Sequence, residues 1–274
     1  DWTIANLLQD SSLDEGEFGY GNVPSLPQFS IGNLVNCAEL TKGIYSVHQY
    51  GVDYFKIECN HPFRITFQGN VTIPVLPVNP HSGSHYFWSN KGDQSDMLLT
   101  QTFDFSHTKA PIFMEYYAWY DLEPNWDFVY LLVSEDGKNW EQLKPDHCSQ
   151  VNDTGTNLGC GYTGNSGGWF QEKVDLSAYA GKKVTVQFEY LTDAALHGEG
   201  FLLDDLSIKA LGYETDFEDS DGGWTAQGFV RIMNLLPQIY RVALLQRNES
   251  GTFVERYEVK GSDPLLLSFD DDQA

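Results

Sequence analysis

The stretch from Trp119 to Trp140, WYDLEPNWDFVYLLVSEDGKNW, crowds Asp121, Glu123, Asp127, Glu135 and Asp136 among aromatic rings. Acids at that density can act as a general acid/base pair, as ligands for a hard cation, or as the solvated face of a scaffold. Glycoside hydrolysis needs two carboxyl groups facing each other across a cleft. Residues two apart on a strand share a face, so Asp121 and Glu123 point together rather than across, and a partner must come from elsewhere, such as Asp204. Calcium is the stronger chemical expectation, because clustered carboxylates and loop carbonyls are the oxygen ligands that a hard cation takes. The candidate ligands are Asp127, Asp93 and Asp96 in NKGDQSD, Asp204 and Asp205 in LLDDLSI, and Asp216 and Glu218 in TDFED. Strand alternation turns only one of Asp204 and Asp205 inward to meet an ion and leaves the other solvated.

Other motifs carry less. HSGSH, from His81 to His85, spaces two histidines as a zinc-binding helix would, but it follows Val-Asn-Pro, contains Gly83 and has no Glu beside the first His. Both the helix and the general base of a zinc protease are missing, so no zinc is expected here. GNSGG at Gly164–Gly168 is offset from a nucleophile elbow and has no strand before it, which argues against a catalytic Ser166. Trp88, Trp119, Trp126, Trp140, Trp169 and Trp224 could form a sugar-stacking platform. Aromatic rings are also what sandwich cores and strand faces use, and that reading is the stronger.

The chain carries 16 Lys+Arg against 39 Asp+Glu, a net charge of −23. Such a surface repels phosphate backbones and anionic headgroups, so neither nucleic acid nor a membrane surface is an expected partner. No apolar run reaches the roughly 20 residues of a spanning helix. The start, Asp1-Trp2-Thr3, has neither an initiator Met nor a signal-peptide pattern and reads as an internal or processed end. Cys37, Cys59, Cys148 and Cys160 lack metal-site spacing and read as disulfides. Of the three possible connectivities the local one, Cys37 with Cys59 and Cys148 with Cys160, is preferred, because each pair brackets a loop-rich segment. Two bridges imply an oxidising, extracellular or cell-surface setting. Sequons at Asn70, Asn152 and Asn248 agree with secretion.

The elements that must hold these residues are strands. DWTIANLLQD has helical spacing and is the one convincing helix. A Gly/Pro-rich connector follows from Gly16 to Gly32. Short alternating runs come next, YSVHQYGVDYFKIE and FRITFQG, then MLLTQTFDF, IFMEYYAWY, FVYLLVS, KVTVQFEYL and FLLDDLSIKA. With no helices between them they predict an all-β, antiparallel sandwich. The polar segment between Cys148 and Gly168 reads as a long surface loop pinned by its bridge. Boundaries fall at 1–43 for helix and connector, 44–80 for a short β region, 81–211 for the central sandwich and 212–274 for a second, partial sandwich.

The runs HYFWSNKGDQSDMLLTQTFDFS, WYDLEPNWDFVYLLVSEDGKNW, GYTGNSGGWFQEKVDLSAYAGKKVTVQFEYLTD, GFLLDDLSIKALGY, DFEDSDGGW and GFVRIMNLLPQIY closely resemble the region downstream of the catalytic domain in immune inhibitor A metallopeptidases, a family of secreted zinc proteases. The resemblance extends from about Tyr45 to about Leu245, and DWTIANLLQD with GEFGYG looks like the end of the peptidase-like domain that precedes those modules. It implies jelly-roll or MAM-like sandwiches associated with calcium. The family's HExxH helix has no counterpart in this sequence, so no catalytic residue is carried over. What the resemblance implies instead is an accessory module, partnered by an upstream peptidase domain or by an extracellular protein or glycan. A stand-alone structural or adhesive module, capable of self-assembly, is the other reading. The second module is either incomplete or completed by earlier strands such as Tyr45 to Phe67, with the central sandwich inserted between them.

Overall fold

A computed structural model describes residues 2–23, 27, 30–37, 42–248 and 251–270. The chain divides into two compact units, one made of both ends, 1–73 with 236–274, and one made of the middle, 74–235.

The first unit opens with α1, Trp2–Leu8, whose Ile4 and Ala5 are buried. Strands β1, Asn33–Asn36, and β2, Phe55–Glu58, pair in parallel. The Cys37–Cys59 disulfide lies just beyond the ends of both. Two more strands, β3 (Phe63–Phe67) and β4 (Thr72–Ile73), lead to the end of this half of the unit.

The middle unit holds the sandwich. Its strands are β5 (His85–Trp88), β6 (Asp96–Asp104), β7 (Phe113–Asp121), β8 (Phe128–Ser134), β9 (Glu141–Gln142), β10 (Gly161–Tyr162), β11 (Phe170–Asp175), β12 (Lys183–Leu191), β13 (Gly200–Ile208), β14 (Tyr213–Thr215), β15 (Thr225–Gln227) and β16 (Val230–Met233). One six-stranded sheet runs β10-β8-β12-β6-β15 with β9 beside β8, and the other runs β11-β7-β13-β5-β16 with β14 beside β13. Every pairing within the two sheets is antiparallel.

Alternation along these strands builds the core. Val184, Val186, Phe188 and Tyr190 of β12 meet Met114, Tyr116, Ala118 and Tyr120 of β7 between the sheets, together with Leu99, Phe103, Val129, Leu131, Phe201 and Leu203. Each large apolar side chain buried there contributes roughly 1.5–3 kcal/mol. The outer faces carry smaller apolar clusters. Segment 74–80 lays Leu76 and Val78 over Tyr86, Trp119, Leu202 and the flanking Trp88 and Trp169. Buried Asn234 fastens that segment by accepting from the N–H groups of Val75 (2.9 Å) and Leu76 (2.8 Å) and donating to the carbonyls of Leu76 (3.0 Å) and Val78 (2.8 Å).

The acidic stretch after Gly212, read from sequence as a boundary, lies inside this unit. Phe217 and Trp224 anchor it in the main core, and β15 and β16 pair with β6 and β5, so the second break falls at 235/236 instead of 212. Beyond it come β17 (Leu236–Pro237), β18 (Ile239–Asn248), β19 (Gly251–Lys260) and β20 (Leu265–Phe269). β17 pairs with β4 and β20 with β3, while β18 and β19 form a hairpin.

Candidate functional site

The turn between β7 and β8 folds tightly because Asn125 takes a left-handed conformation, φ 66°. Its N–H donates to Thr163 Oγ1 at 2.8 Å, and its carbonyl accepts from the hydroxyls of Thr154 (2.7 Å) and Thr156 (2.9 Å). The long loop bridged by Cys148–Cys160 therefore holds the turn from outside. That loop is itself tied down by a buried acid. Glu172 accepts from Tyr162 Oη (2.9 Å) and from the N–H groups of Asp146 (3.0 Å) and His147 (3.3 Å), and Tyr116 and Tyr162 share a hydrogen bond of 2.8 Å behind it.

Among the described residues, one group of three His, Cys, Asp or Glu side chains brings ligand atoms within 4.8 Å of one another: Glu123, Asp127 and Asp193. Glu123 and Asp127 come from the β7–β8 turn, and Asp193 from the chain just past β12. Asp127 is fully buried and accepts from Tyr190 Oη at 3.2 Å and from the Asp193 N–H at 3.0 Å. Glu123 Oε2 is buried with no hydrogen-bond donor in reach. Burial raises the carboxyl pKa of Glu123, and neighbouring Asp193, Asp127 and Asp93 raise it further. Asp127 is also raised, chiefly by burial and against the pull of its hydrogen bonds. Crowded carboxylates with an orphaned buried oxygen are the donor set a hard cation neutralises.

The other candidate acids lie elsewhere. Asp93 sits on the rim of this group, paired with His197 at 2.8 Å. Asp96 begins β6 opposite Leu191 and raises the carboxyl of Glu189. Asp204 and Asp205 both reach segment 81–82, because a bulge in β13 between Asp204 and Ser207 breaks the alternation expected of them. Asp204, fully buried, accepts from the N–H groups of His81 (2.9 Å) and Ser82 (3.2 Å), and burial pushes its pKa up to about 7. Asp205, at φ 45°, takes the His81 ring and Ser82 Oγ. Glu218 accepts from Ser84 Oγ and from the N–H groups of Ser84 and His85, all at 2.7 Å, which lowers its pKa to about 2. HSGSH is thus a donor-rich loop clasped by three acids. Asp216 is exposed and accepts from the Glu218 N–H at 3.1 Å.

Five of the six singled-out Trp rings join packing clusters: Trp88, Trp119 and Trp169 outside one sheet, Trp140 outside the other and Trp224 in the main core. Trp126 is 42% exposed. Both disulfides are the local pairs, Cys37–Cys59 and Cys148–Cys160. Asn70, Asn152 and Asn248 are exposed; the two residues that complete the last sequon lie outside the described residues. No helix among the described residues is long and apolar enough to cross a membrane.

Sequence reasoning named Asp127 but not Asp193, and weighed Glu123 only for acid/base work. Glu123 lies four residues before Asp127 in one turn, and that proximity was a usable signal. Asp193 is 66 residues further on, brought in by the pairing of β12 with β8, which no local spacing reveals.

Two antiparallel six-stranded sheets packed face to face around one apolar core define a β-sandwich module. The chain belongs to the family described as immune inhibitor A-like, MAM domain, whose profile matches residues 63–233. It is 32% identical over 202 residues to immune inhibitor A of Bacillus thuringiensis subsp. alesti, covering 70% of this chain and 27% of that protein. To the pre-pro-metalloprotease PrtV of Vibrio cholerae serotype O1 it is 28% identical over 166 residues, 59% of this chain and 17% of that one. Bacillopeptidase F of Bacillus subtilis strain 168 matches at 34% over 111 residues, 38% of this chain and 7% of that one. The chain thus spans 27% or less of the length of each of these relatives.

Proposed function

We infer that the chain is a non-catalytic accessory portion of a secreted zinc metallopeptidase of the immune inhibitor A type, serving to stabilise or target the protease. The observation that carries this reading is the family match over residues 63–233, in a sequence without HExxH. Two relatives by name a metalloprotease and immune inhibitor A are several times longer than the matched region, which supports a place beside a catalytic domain. The two disulfides and the net charge of −23 suit an extracellular setting.

Calcium is part of the same proposal. Glu123, Asp127 and Asp193 would hold it, since they supply clustered carboxylate oxygens and one buried oxygen without a donor. The ion would neutralise the crowding and lock the β7–β8 turn to the end of β12. Nothing in this arrangement places a nucleophile or a general base against a substrate cleft. Two surface depressions, one lined by Gln142, Asn157 and Cys160 and the other by Phe113, Glu115 and Lys173, do not include the three acids.

The accessory role is tested by exchange. Immune inhibitor A of Bacillus thuringiensis is compared intact, with its matching region deleted, and with that region replaced by this chain. The expected result is that deletion lowers kcat/KM on a large protein substrate by about tenfold or more and leaves a short peptide substrate within about twofold, the mark of remote positioning rather than chemistry. The replacement should recover most of that loss. A replacement no better than the deletion would remove the accessory reading for this chain.

A further inference from the structure

Between β1 and β2 the chain runs from Lys42 to Asp53 without helix or strand, and each of these residues is exposed. The segment is apolar for a surface loop. Ile44 is 94% and Tyr50 95% exposed, Val47 and Val52 also stand in solvent, and Tyr45, half exposed, sets its ring edge-on against Phe55 at 4.6 Å. Among the described residues its backbone makes one hydrogen bond, from the Gly51 N–H to the His48 carbonyl at 2.7 Å, and Tyr50 sits in the left-handed region at φ 59°. The flanks are fixed by contrast. β1 and β2 pair over four residues, Cys37 is bonded to Cys59, and the Tyr54 carbonyl accepts from Asn33 Nδ2 at 3.2 Å.

An endopeptidase binds its substrate as an extended strand, so a segment already free of ladder bonds opens at little cost, whereas a strand must first unfold locally. A bulky apolar side chain beside the scissile bond adds the pocket contact that many endopeptidases require. Lys42–Asp53 supplies both.

We propose that Lys42–Asp53 is a proteolytic processing site for an endopeptidase that takes an aromatic or branched aliphatic residue next to the cleaved bond. The Cys37–Cys59 bridge keeps the two products joined. Cleavage of the Tyr50–Gly51 bond, for example, adds one water, its hydroxyl going to the Tyr50 carbonyl carbon and its proton to the Gly51 nitrogen. No sulfur changes oxidation state. The result is a two-chain protein in which β1 stays paired with β2 although the peptide between them is cut.

The test is brief digestion of the native, unreduced chain with chymotrypsin and, separately, thermolysin, followed by intact mass before and after reduction. The expected first cut falls between Lys42 and Asp53, at least about tenfold sooner than any cut in β5–β16, because those strands must open before cleavage. Before reduction the mass rises by one water, and after reduction two fragments separate. Replacing Ile44 and Tyr50 by Ser should slow that cut by about tenfold while the melting temperature holds, since such fully exposed side chains contribute little stability. A first cut elsewhere, or a segment that survives while strands are degraded, overturns the processing site. Fragments that part without reductant overturn the role given to the bridge.

Discussion

Asp127 and Asp204 are both fully buried carboxyls, yet their surroundings give them opposite uses. Asp204 accepts hydrogen bonds from the N–H groups of His81 and Ser82, so it holds a loop; Asp127 lies against two further acids, the setting in which a cation is proposed. The Asp204 pKa, about 7, lies above the usual carboxylate value. The folded state then binds that proton more tightly than the unfolded state, so stability is present at low pH and is lost as pH rises from about 4 through about 7. Glu123 and Asp127, also raised, act with the same sign. Glu218, lowered to about 2, contributes stability that disappears only as pH falls towards that value, outside this window. In EGTA, the melting temperature should therefore fall between pH 5 and pH 8, and Asp204→Asn should flatten that fall. An unchanged slope in the variant would show that Asp204 does not titrate there. The acids themselves were legible in the sequence; their partners were not, because a bulge after Asp204 and a contact 66 residues away decide what each one meets.

Strands were the readable elements, since alternation in KVTVQFEYL and IFMEYYAWY states directly which side chains enter the core. The straps across the outer faces were not readable, because they lack periodicity and depend on single polar residues. Asn234 is the clearest case, with four hydrogen bonds to segment 75–78. Asn234→Ala leaves buried backbone groups without partners and should lower unfolding free energy by about 1–3 kcal/mol, read from urea melts. Trp fluorescence should change with it, since Trp119 lies under that segment. No loss of stability would mean that Leu76 and Val78 hold the strap unaided. The Cys148–Cys160 bridge closes 12 residues, and replacing both cysteines by Ser should lower stability by roughly 2–4 kcal/mol in the same assay. The Glu172 network would hold part of the loop in that variant, so a smaller loss would place the anchoring on Glu172 rather than on the sulfurs.

At the scale of the molecule, sequence left two arrangements open for the second module, and which one holds depends on long-range pairing that composition does not encode. β20 pairs with β3 and β17 with β4, so both ends of the chain build one unit and 74–235 forms the other. Expressed alone, residues 74–235 should melt cooperatively within a few degrees of the same transition in the whole chain, because both six-stranded sheets lie within that unit. Broad, non-cooperative melting would mean that the sandwich needs the end strands. On the proposed function, the acids around the β7–β8 turn brace this sandwich through a cation and do no chemistry. The most direct measurement is thermal melting of the whole chain in calcium and in EGTA, for the native sequence and for Asp127→Asn. Calcium at about a hundred times its Kd should add roughly 2.7 kcal/mol, which raises the melting temperature by about 5–10 °C. Asp127→Asn should lose that rise. Superimposable curves for the native chain in calcium and in EGTA would mean that these acids hold no calcium.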